Sequence, residues 1–290
     1  MAKILEGKPI AAGIQREVAA EVDALRARGI QPGLTVILAG PDPASALYVR
    51  NKMRMCETLG IRSETITPPQ DATTDDLLEI VARLNADNRV DGILVQLPLF
   101  PQVDSKRVLL AVDPAKDVDG FHPVNIGNLA TQRPGLVSCT PVGIIEILKR
   151  SGTPIAGARA VVVGRSDIVG KPVSLLLLHE NATVTICHSR TRDLPSVARE
   201  ADILIAAIGK PEMITGDYIK PGAVVIDVGT SRIPDASAPK GMRWAGDVHF
   251  PSASAVAGAI TPVPGGVGPL TIVMLMANTV KACKLRRSTD

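Results

Sequence analysis

Two residues that could orient a substrate and move a proton lie four positions apart near the start of the chain. Tyr48 and Lys52 fall within residues 44–59, a stretch with a helical pattern. Residues at this spacing lie on one face of a helix, so the phenol and the amine can meet there. Such a pair is suited to general acid–base chemistry. The same spacing is common on ordinary helix surfaces, which is the alternative interpretation.

A polar side chain is predicted at the end of a buried strand. The run Gly92 to Gln96 is apolar until its last residue and is followed by Leu97-Pro98-Leu99. Parallel sheets bind their ligands at the carboxyl ends of the strands, and the pattern predicts the Gln96 amide at such an end. An ordinary polar strand end is the alternative.

Charged residues are concentrated in the segment Lys116-Asp117-Val118-Asp119-Gly120. A solvated turn, in which aspartate side chains bond to the backbone, is one interpretation. A calcium-binding loop is excluded, because it would need acidic residues where Ala115 and Ile126 stand. The histidines show no zinc-binding spacing either, so we expect no bound metal.

A glycine turn between a predicted strand and a predicted helix is suited to a dinucleotide. Strand 160–163 leads into Gly164-Arg165-Ser166, and Gly170 opens the helix. Such a turn can present backbone N–H groups to a pyrophosphate at the positive end of the helix dipole. The motif departs from G-x-G-x-x-G at Ser166 and Gly170, so a plain turn is the alternative. A nucleotide-hydrolase P-loop is excluded, because Pro172 replaces its Ser or Thr.

The next strand indicates which nicotinamide cofactor is preferred. NAD-dependent enzymes commonly carry an acid at the end of this strand, where it binds the adenosine ribose. Here strand 183–187 is followed by His188-Ser189-Arg190, which contains no acid. A hydroxyl and a guanidinium suit the extra 2′-phosphate of NADP, and Arg165 could add a second positive charge. The predicted cofactor is therefore NADP.

Alternating short strands and helices must position these residues. Strands are predicted at 34–39, 61–65 and 92–96, and then at 160–163, 183–187, 203–206 and 223–227. Helices are predicted between them, one of them starting at a capping box formed by Thr73 and Asp76. This alternation predicts two α/β series with parallel sheets covered on both faces.

The length of 290 residues favours two domains. We place a catalytic domain at 1–139 plus 270–290 and an NADP-binding domain at 140–269, because the last helix, predicted at 270–284, is expected to return to the first domain. The run Pro264-Gly265-Gly266-Val267-Gly268-Pro269 precedes that helix. Its glycines would let the backbone approach a flat ligand, or would make a tight turn between domains.

Composition excludes several classes of protein. Hydrophobic residues make up 46% and charged residues 21%, which is typical of globular chains. The net charge of +3 is dispersed, so no nucleic-acid surface is expected. Four well-separated cysteines argue against disulfides and zinc thiolates. Since we find no apolar signal region and no long apolar run, we expect a cytoplasmic protein without a membrane partner.

Five segments in this order resemble the methylenetetrahydrofolate dehydrogenase/cyclohydrolase family. They are Tyr48-x-x-x-Lys52 and the segments 92–99, 116–120, 164–170 and 264–269, and together they span most of the chain. The resemblance implies a homodimer of two-domain α/β chains. Each chain would have an N-terminal three-layer α/β domain and a Rossmann-like doubly wound NADP-binding domain, with a folate cleft between them.

The resemblance also implies two activities. The first is NADP-dependent oxidation of 5,10-methylenetetrahydrofolate to 5,10-methenyltetrahydrofolate, and the second is hydrolysis of that product to 10-formyltetrahydrofolate. Both belong to tetrahydrofolate interconversion, which serves purine and amino-acid biosynthesis.

Individual roles follow from the same resemblance. The catalytic lysine falls on Lys52, its partner tyrosine on Tyr48, the glutamine that bonds the lysine on Gln96, and the pterin-binding aspartate on Asp119. Folate contacts are expected at Tyr48, Asp119, Pro264, Gly265 and Gly266, and cofactor contacts at Gly164, Arg165, Ser166, Gly170, Ser189, Arg190 and Thr230. The chain departs from the family at Thr230-Ser231, where Ile-Asn is common, and at Leu270, where Met or Phe is usual.

Two other classes stay open at this point. One is a dehydrogenase without the hydrolase, acting on folate or on a shikimate-like substrate. The other is a non-catalytic nucleotide-binding protein. Short-chain dehydrogenases share the Tyr-x-x-x-Lys pattern but are excluded, because in them the pair lies downstream of the glycine turn on the same domain.

Overall fold

The computed structural model describes residues 2–238 and 241–287. Contacts divide the chain into two units, and each is named here by its main sheet. The six-stranded unit combines the chain up to Ala12 with Thr140–Thr271, and the three-stranded unit combines Gly13–Cys139 with the chain from Ile272 onward.

The helices and strands alternate along most of the chain. In chain order they are β1 (Lys3–Ile4), α1 (Gly7–Ala27), β2 (Gly33–Leu38), α2 (Pro43–Leu59), β3 (Arg62–Ile66), α3 (Thr74–Ala86), β4 (Gly92–Gln96), α4 (Ser105–Ala111), α5 (Pro123–Ala130), α6 (Cys139–Arg150), β5 (Arg159–Val163), α7 (Gly170–His179), β6 (Thr183–Cys187), α8 (Leu194–Ala198), β7 (Ile203–Ala206), β8 (Val224–Asp227), β9 (Ser231–Pro234), β10 (Met242–Ala245), α9 (Phe250–Ser254), β11 (Ala259–Ile260) and α10 (Gly268–Arg287).

The main sheet of the six-stranded unit is parallel throughout, with the order β1-β11-β8-β7-β5-β6. Its central strands are continuous apolar runs, such as Val161 to Val163 and Ile203 to Ala206, because both faces are buried. The chain passes from β5 to β6 on one side and then to β7 on the other. The topological switch point of this doubly wound sheet therefore lies between β5 and β7.

The three-stranded unit has a smaller parallel sheet with the order β3-β2-β4. Its core includes Ile37 and Val95 from the strands and Leu77 and Val81 from α3. The capping box at the start of α3 is present, because Thr73 and Asp76 bond each other's backbone N–H groups. The predicted two-domain α/β fold with a Rossmann-like unit is confirmed.

The contact division differs from the predicted boundaries at the start of the chain. Residues up to Ala12 group with the six-stranded unit, because Lys3 and Ile4 of β1 pair with Ala259 and Ile260 of β11. Helix α10 begins in the six-stranded unit, and residues from Ile272 onward belong to the three-stranded unit. Within residues 2–238 and 241–287, no helix combines the length and the apolarity needed to cross a bilayer.

Candidate active site

The predicted lysine and glutamine are in direct contact. Lys52 on α2 donates from Nζ to Oε1 of Gln96, the last residue of β4, at 2.9 Å. The amide of Gln96 is oriented in turn, because its Nε2 donates to the carbonyl of Leu97 at 3.0 Å. Helix α2 follows β2, whose last residue, Leu38, pairs with Gln96. The register of the sheet and the crossover from β2 therefore bring the amine and the amide together.

Tyr48 lies one turn before Lys52 on α2, and 46% of its surface is exposed. Nearby, Ser45 Oγ donates to the carbonyl of Leu97 at 3.3 Å and ties the start of α2 to the segment after β4. The three predicted catalytic residues thus lie on elements that are bonded to each other.

The charged segment 116–120 is not the solvated turn that its composition suggested. Lys116 is completely buried, and its Nζ donates to the carbonyls of Leu84, Asn85 and Asp87 at 2.7 to 2.9 Å. Asp117 is buried as well and accepts from the backbone N–H of His122 at 2.8 Å. The solvated-turn interpretation is therefore wrong for these two residues, which hold the segment in place.

Asp119 is the remaining acid of that segment, and its environment suits a ligand. Burial raises the pKa of the Asp119 carboxyl to about 7, and the positive charge of Lys52 opposes that rise. Asp119 therefore lies within electrostatic range of Lys52. A carboxyl group with a strongly raised pKa beside a lysine is a candidate for a functional role, because perturbed pKa values cluster at functional sites.

The backbone beside Asp119 is fixed by a residue that the sequence interpretation missed. Asn278 on α10 donates from Nδ2 to the carbonyls of Val118 and Val137, both at 2.8 Å. On the other side, Gly120 has a φ of 71°, and a Cβ there would lie 2.5 Å from backbone atoms of Val137 and Ser138. Asn278 is a buried polar residue in a mostly apolar helix, and that pattern was a detectable signal.

The glycine turn after β5 is shaped by two close approaches of backbone to backbone. Gly164 has a φ of 135°, and a Cβ there would lie 2.1 Å from the carbonyl oxygen of Ala207. A Cβ at Gly170 would lie 2.3 Å from the carbonyl oxygen of Gly164. Both positions therefore require glycine, and the late Gly170 performs the packing role that a dinucleotide turn needs.

The hydroxyl and the carbonyl of Ser166 accept hydrogen bonds from the backbone N–H groups at the start of α7. Its Oγ accepts from the N–H groups of Val169 at 3.2 Å and Gly170 at 3.3 Å, and its carbonyl accepts from Lys171 at 3.0 Å. A phosphate bound to these N–H groups would have to replace the Ser166 hydroxyl, so the expected pyrophosphate contact requires a local rearrangement. The side chains of Arg165 and Ser166 are exposed at the same turn.

A cavity of about 280 Å³ lies at the switch point of the six-stranded sheet. Four of the predicted cofactor residues line it, namely Gly164, Arg165, Ser166 and Ser189. The ends of β5 and β6 are adjacent, since Val163 pairs with Cys187, and this register places the segments that contain Arg165 and Ser189 side by side. Exposed hydroxyl and guanidinium groups beside a glycine turn fit the phosphates of NADP.

The other three predicted cofactor residues do not line this cavity. Gly170 packs under the turn, while Arg190 and Thr230 are exposed. Arg190 follows Ser189 directly, so its long side chain belongs to the same edge of the sheet. Thr230 follows β8, three residues beyond its end.

The predicted folate residues Pro264, Gly265 and Gly266 belong to the six-stranded unit, whereas Tyr48 and Asp119 belong to the three-stranded unit. The turn at Gly265 has a φ of 109°, and its carbonyl accepts from the N–H of Gly7 at 2.8 Å. A Cβ at Gly266 would lie 2.6 Å from the carbonyl oxygen of Pro262. The glycines are therefore needed by the turn itself.

Within the described ranges 2–238 and 241–287, no three or more His, Cys, Asp and Glu side chains form a cluster that could hold a metal ion.

Two family models match this chain. The model described as the catalytic domain of tetrahydrofolate dehydrogenase/cyclohydrolase matches residues 5–119, and the model of the NAD(P)-binding domain of the same family matches residues 138–287. The chain belongs to this family. Its two matched segments carry the Lys52–Gln96 contact and the Gly164 turn, respectively.

Similar proteins of this family match this chain along nearly its whole length. The "Bifunctional protein FolD" of Koribacter versatilis is 61% identical, with 99% of this chain and 98% of that protein covered. The crystal structure of the bifunctional enzyme FolD from Campylobacter jejuni has a TM-score of 0.93 at 41% identity, covering 99% of this chain and all of that one. The Trypanosoma brucei enzyme, solved with an NADP cofactor and inhibitor, has a TM-score of 0.92 at 42% identity, with 100% and 99% covered.

Proposed function

We propose that this chain oxidises 5,10-methylenetetrahydrofolate with NADP and hydrolyses the resulting 5,10-methenyltetrahydrofolate to 10-formyltetrahydrofolate. Membership of the tetrahydrofolate dehydrogenase/cyclohydrolase family supports both activities, as do relatives described as bifunctional. The observation that carries the proposal is the 2.9 Å contact between Lys52 Nζ and Gln96 Oε1, close enough to Asp119 for the charges to interact.

We assign folate binding and NADP binding to different parts of the chain. The folate chemistry is assigned to residues 1–139 plus 270–290, and NADP binding is assigned to residues 140–269. Bound NADP supplies the acceptor for the hydride that leaves the one-carbon bridge of the folate. The cofactor contacts assigned to this chain are Gly164, Arg165, Ser166, Gly170, Ser189, Arg190 and Thr230.

Three residues orient the folate for the oxidation. The Asp119 carboxylate accepts hydrogen bonds from the donor edge of the pterin ring, which presents N–H groups. Tyr48 offers an exposed ring and hydroxyl to the substrate, on the same face of α2 as Lys52. We assign further folate contacts to the backbone of Pro264, Gly265 and Gly266.

Lys52 handles protons in the hydrolytic step. Water attacks the methenyl carbon, and the amine of Lys52 accepts a proton from that water as the carbon–oxygen bond forms. The bond from the carbon to N5 then breaks while Lys52 returns its proton to N5, and the remaining hydroxyl proton leaves as the formyl carbonyl forms. The step releases one proton overall, because a methenyl cation and water give a neutral formyl group.

Gln96 suits this role because it is neutral. Its carbonyl oxygen accepts from the amine and fixes the position of the amine without adding a charge. We therefore assign Gln96 to positioning Lys52, with Tyr48 as the partner that orients the folate.

Replacing Lys52 with Met tests the proposal. Loss of a positioned acid–base group costs roughly 10²- to 10⁴-fold, so we expect the cyclohydrolase rate to fall by at least about 100-fold. Lys106→Met, at an exposed lysine on α4, is the matched control and should leave both rates unchanged. Undiminished hydrolysis by a folded, NADP-binding Lys52→Met variant would overturn the assignment.

A dehydrogenase without hydrolase activity is the second candidate, and the same assay separates it. Methenyltetrahydrofolate absorbs light strongly, so a dehydrogenase alone would produce an absorbance band that persists. We expect the band to decay as 10-formyltetrahydrofolate forms. A shikimate-like substrate or a purely nucleotide-binding role is disfavoured, because neither explains the contact between Lys52 and Gln96.

We also propose that the chain acts as a homodimer in the cytoplasm, without nucleic-acid or membrane partners, and contributes to purine and amino-acid biosynthesis through its folate products. The family resemblance supports the dimer. Light scattering coupled to size-exclusion chromatography should give about twice the chain mass of 30.4 kDa, and a mass of one chain would contradict it.

A further inference from the structure

Two buried aspartates of the six-stranded unit are used by none of the steps above. Asp227 is the last residue of β8, and Asp247 follows β10. Only 4% of Asp227 and none of Asp247 is exposed. Burying a carboxylate is costly unless it is extensively hydrogen-bonded, so two of them in one unit call for an explanation.

Asp247 bonds directly to a wall of the dinucleotide cavity. Its Oδ2 accepts from the backbone N–H groups of Ile208 at 2.6 Å and Gly209 at 2.9 Å. Ile208 lines the cavity together with Ala207 and Lys210, on the side where β7 ends. Gly209 has a φ of 74°, a conformation that turns its N–H toward Asp247. The shape of this wall therefore depends on one carboxylate.

Asp227 holds Asp247 in turn. Oδ1 of Asp227 accepts from the N–H groups of Asp247 at 2.8 Å and Gly229 at 2.9 Å, and Oδ2 accepts from Val248 at 3.0 Å. The N–H of Asp227 itself donates to Thr261 Oγ1 at 2.8 Å. This chain of bonds runs from the end of β8 through the backbone of residue 247 to the cavity wall.

Glycines make room for this arrangement. A Cβ at Gly246 would lie 1.8 Å from Oδ2 of Asp227, and a Cβ at Gly229 would lie 2.5 Å from Oδ1 of Asp247. In the part of the chain that the structure describes, this Oδ1 is buried with no hydrogen-bond partner. Oδ2 of Asp247 thus accepts both hydrogen bonds from the cavity wall, and Oδ1 accepts neither of them.

We propose that Asp247 is a positioning residue of the NADP site: its carboxylate fixes the Ile208–Gly209 backbone and so sets the affinity for the cofactor. The inference rests on the proposed dehydrogenase function for its biological meaning. Asp247 does not need to touch the cofactor, because a backbone segment that forms a cavity wall must be held rigid for a preorganised site.

Two variants and a binding measurement test this role. Asp247→Asn keeps one carbonyl oxygen for the two N–H groups but loses the charge, and Asp247→Leu removes the acceptor altogether. Calorimetric titration should give an NADP dissociation constant raised about threefold by Asn and at least about tenfold by Leu, since charge-assisted bonds are roughly twice as strong as neutral ones. Asp217→Asn and Asp217→Leu, at an exposed aspartate of the same unit, are the matched controls.

Hydrolysis of methenyltetrahydrofolate supplies an internal readout, because that step needs no hydride acceptor. We expect its kcat/KM to stay within about twofold of the parent in both Asp247 variants. Equal losses of hydrolysis and NADP affinity would show a general folding defect and overturn the positioning role. Failure of the parent enzyme to hydrolyse the substrate would instead count against the proposed function.

Hydrogen exchange keeps the test valid if Asp247→Leu does not fold. The amides of Ile208 and Gly209 should exchange faster in Asp247→Asn than in the parent, while the amides of the β7 strand stay protected. Unchanged exchange at these two amides, or NADP affinity within twofold of the parent in every folded Asp247 variant, would overturn the proposal.

Discussion

The environment of Asp119 allows its carboxyl group to gain or lose a proton near neutral pH. Burial raises the pKa of its carboxyl to about 7, although Lys52 favours the charged form. Asn278 and Gly120 fix the backbone on both sides of this residue. An acid that binds the pterin by accepting hydrogen bonds works only when it is ionised.

Folate binding should therefore weaken as the pH falls below 7. With a pKa near 7, the carboxylate is fully present at pH 8 and mostly protonated at pH 6, so the dissociation constant of a non-reacting folate should rise about tenfold over that interval. Calorimetry between pH 5.5 and 8.5 measures this directly. Asp119→Asn should bind more weakly at pH 8 and show no such slope.

The exposed Asp71→Asn variant serves as the control and should keep the slope of the parent. A dissociation constant that is flat with pH in the parent, or a slope retained in Asp119→Asn, would show that another group titrates.

At the scale of elements, the C-terminus of α3 is capped by the side chain of Lys116, which lies well beyond the helix in the sequence. Lys116 donates to three carbonyls at and after the end of this helix, which satisfies groups that every helix leaves without an intrahelical partner. Burial lowers the pKa of the Lys116 amine to about 8, so the charge is held at a cost. The bonds to the carbonyls offset that cost.

Lys116→Met tests whether the hydrogen bonds to the carbonyls outweigh the cost of burying the charge, because methionine fills a similar volume without a charge. It removes the desolvation cost but leaves the carbonyls of Leu84 and Asn85 without this donor, while the carbonyl of Asp87 keeps its bond from the N–H of Val90. We expect the free energy of unfolding of the three-stranded unit to fall by about 3 kcal/mol, measured by urea titration with circular dichroism. Lys106→Met on α4 should change it by less than about 0.5 kcal/mol. An equally small effect at Lys116 would mean that water satisfies the carbonyls.

Sequence patterns predicted regular elements well and isolated contacts poorly. The bounds predicted for the strands Gly92–Gln96, Thr183–Cys187 and Ile203–Ala206 agree with the structure. The first and the last of these are the apolar runs that are typical of buried parallel strands. The strands β1 and β11 have two residues each, which is too short for any periodicity, so the N-terminal pairing was missed. The hairpin of β9 and β10 was missed because its strands are half exposed and lack an apolar pattern.

The candidate active site shows the same difference between patterns that could be predicted and contacts that could not. Lys52 and Gln96 were predicted from motif and strand end, and they are in contact. The roles of Lys116 and Asp247 could not be predicted, because each bonds to backbone groups 29 or more residues away. Such pairings depend on the final path of the chain, which local patterns do not encode.

At the scale of the whole molecule, the three-stranded unit is built from two separate parts of the chain and must be closed by its last helix. Arg286 and Arg287, at the end of α10, both bond to Asp91 at the start of β4, with Nη1 and Nε at 2.9 Å from its Oδ1. The other oxygen of Asp91 accepts from the N–H of Gly33 at 2.9 Å. Asp91 is fully buried, whereas the two arginine side chains keep 17% and 26% of their surface exposed.

Replacing both arginines with Met should destabilise this unit strongly. Removing the partners of a buried charge costs about 3 to 5 kcal/mol, so we expect its melting temperature in scanning calorimetry to fall by about 10 °C. Adding Asp91→Asn should recover most of the loss, because the amide can still accept from Gly33 without a charge. The exposed pair Arg16→Met and Arg133→Met is the matched control.

The loss of stability in the double arginine variant should depend on pH in a definite direction. Burial raises the pKa of Asp91 and the arginines oppose the rise, so removing them raises that pKa further above its unfolded value. The folded state then holds a proton that the unfolded state has already lost, and stability falls as the pH rises from about 4 toward the new folded pKa. The deficit of the double variant should therefore be smaller at pH 5 than at pH 8. A deficit that is independent of pH, or one that Asp91→Asn fails to reduce, would mean that the arginines act through packing rather than through charge.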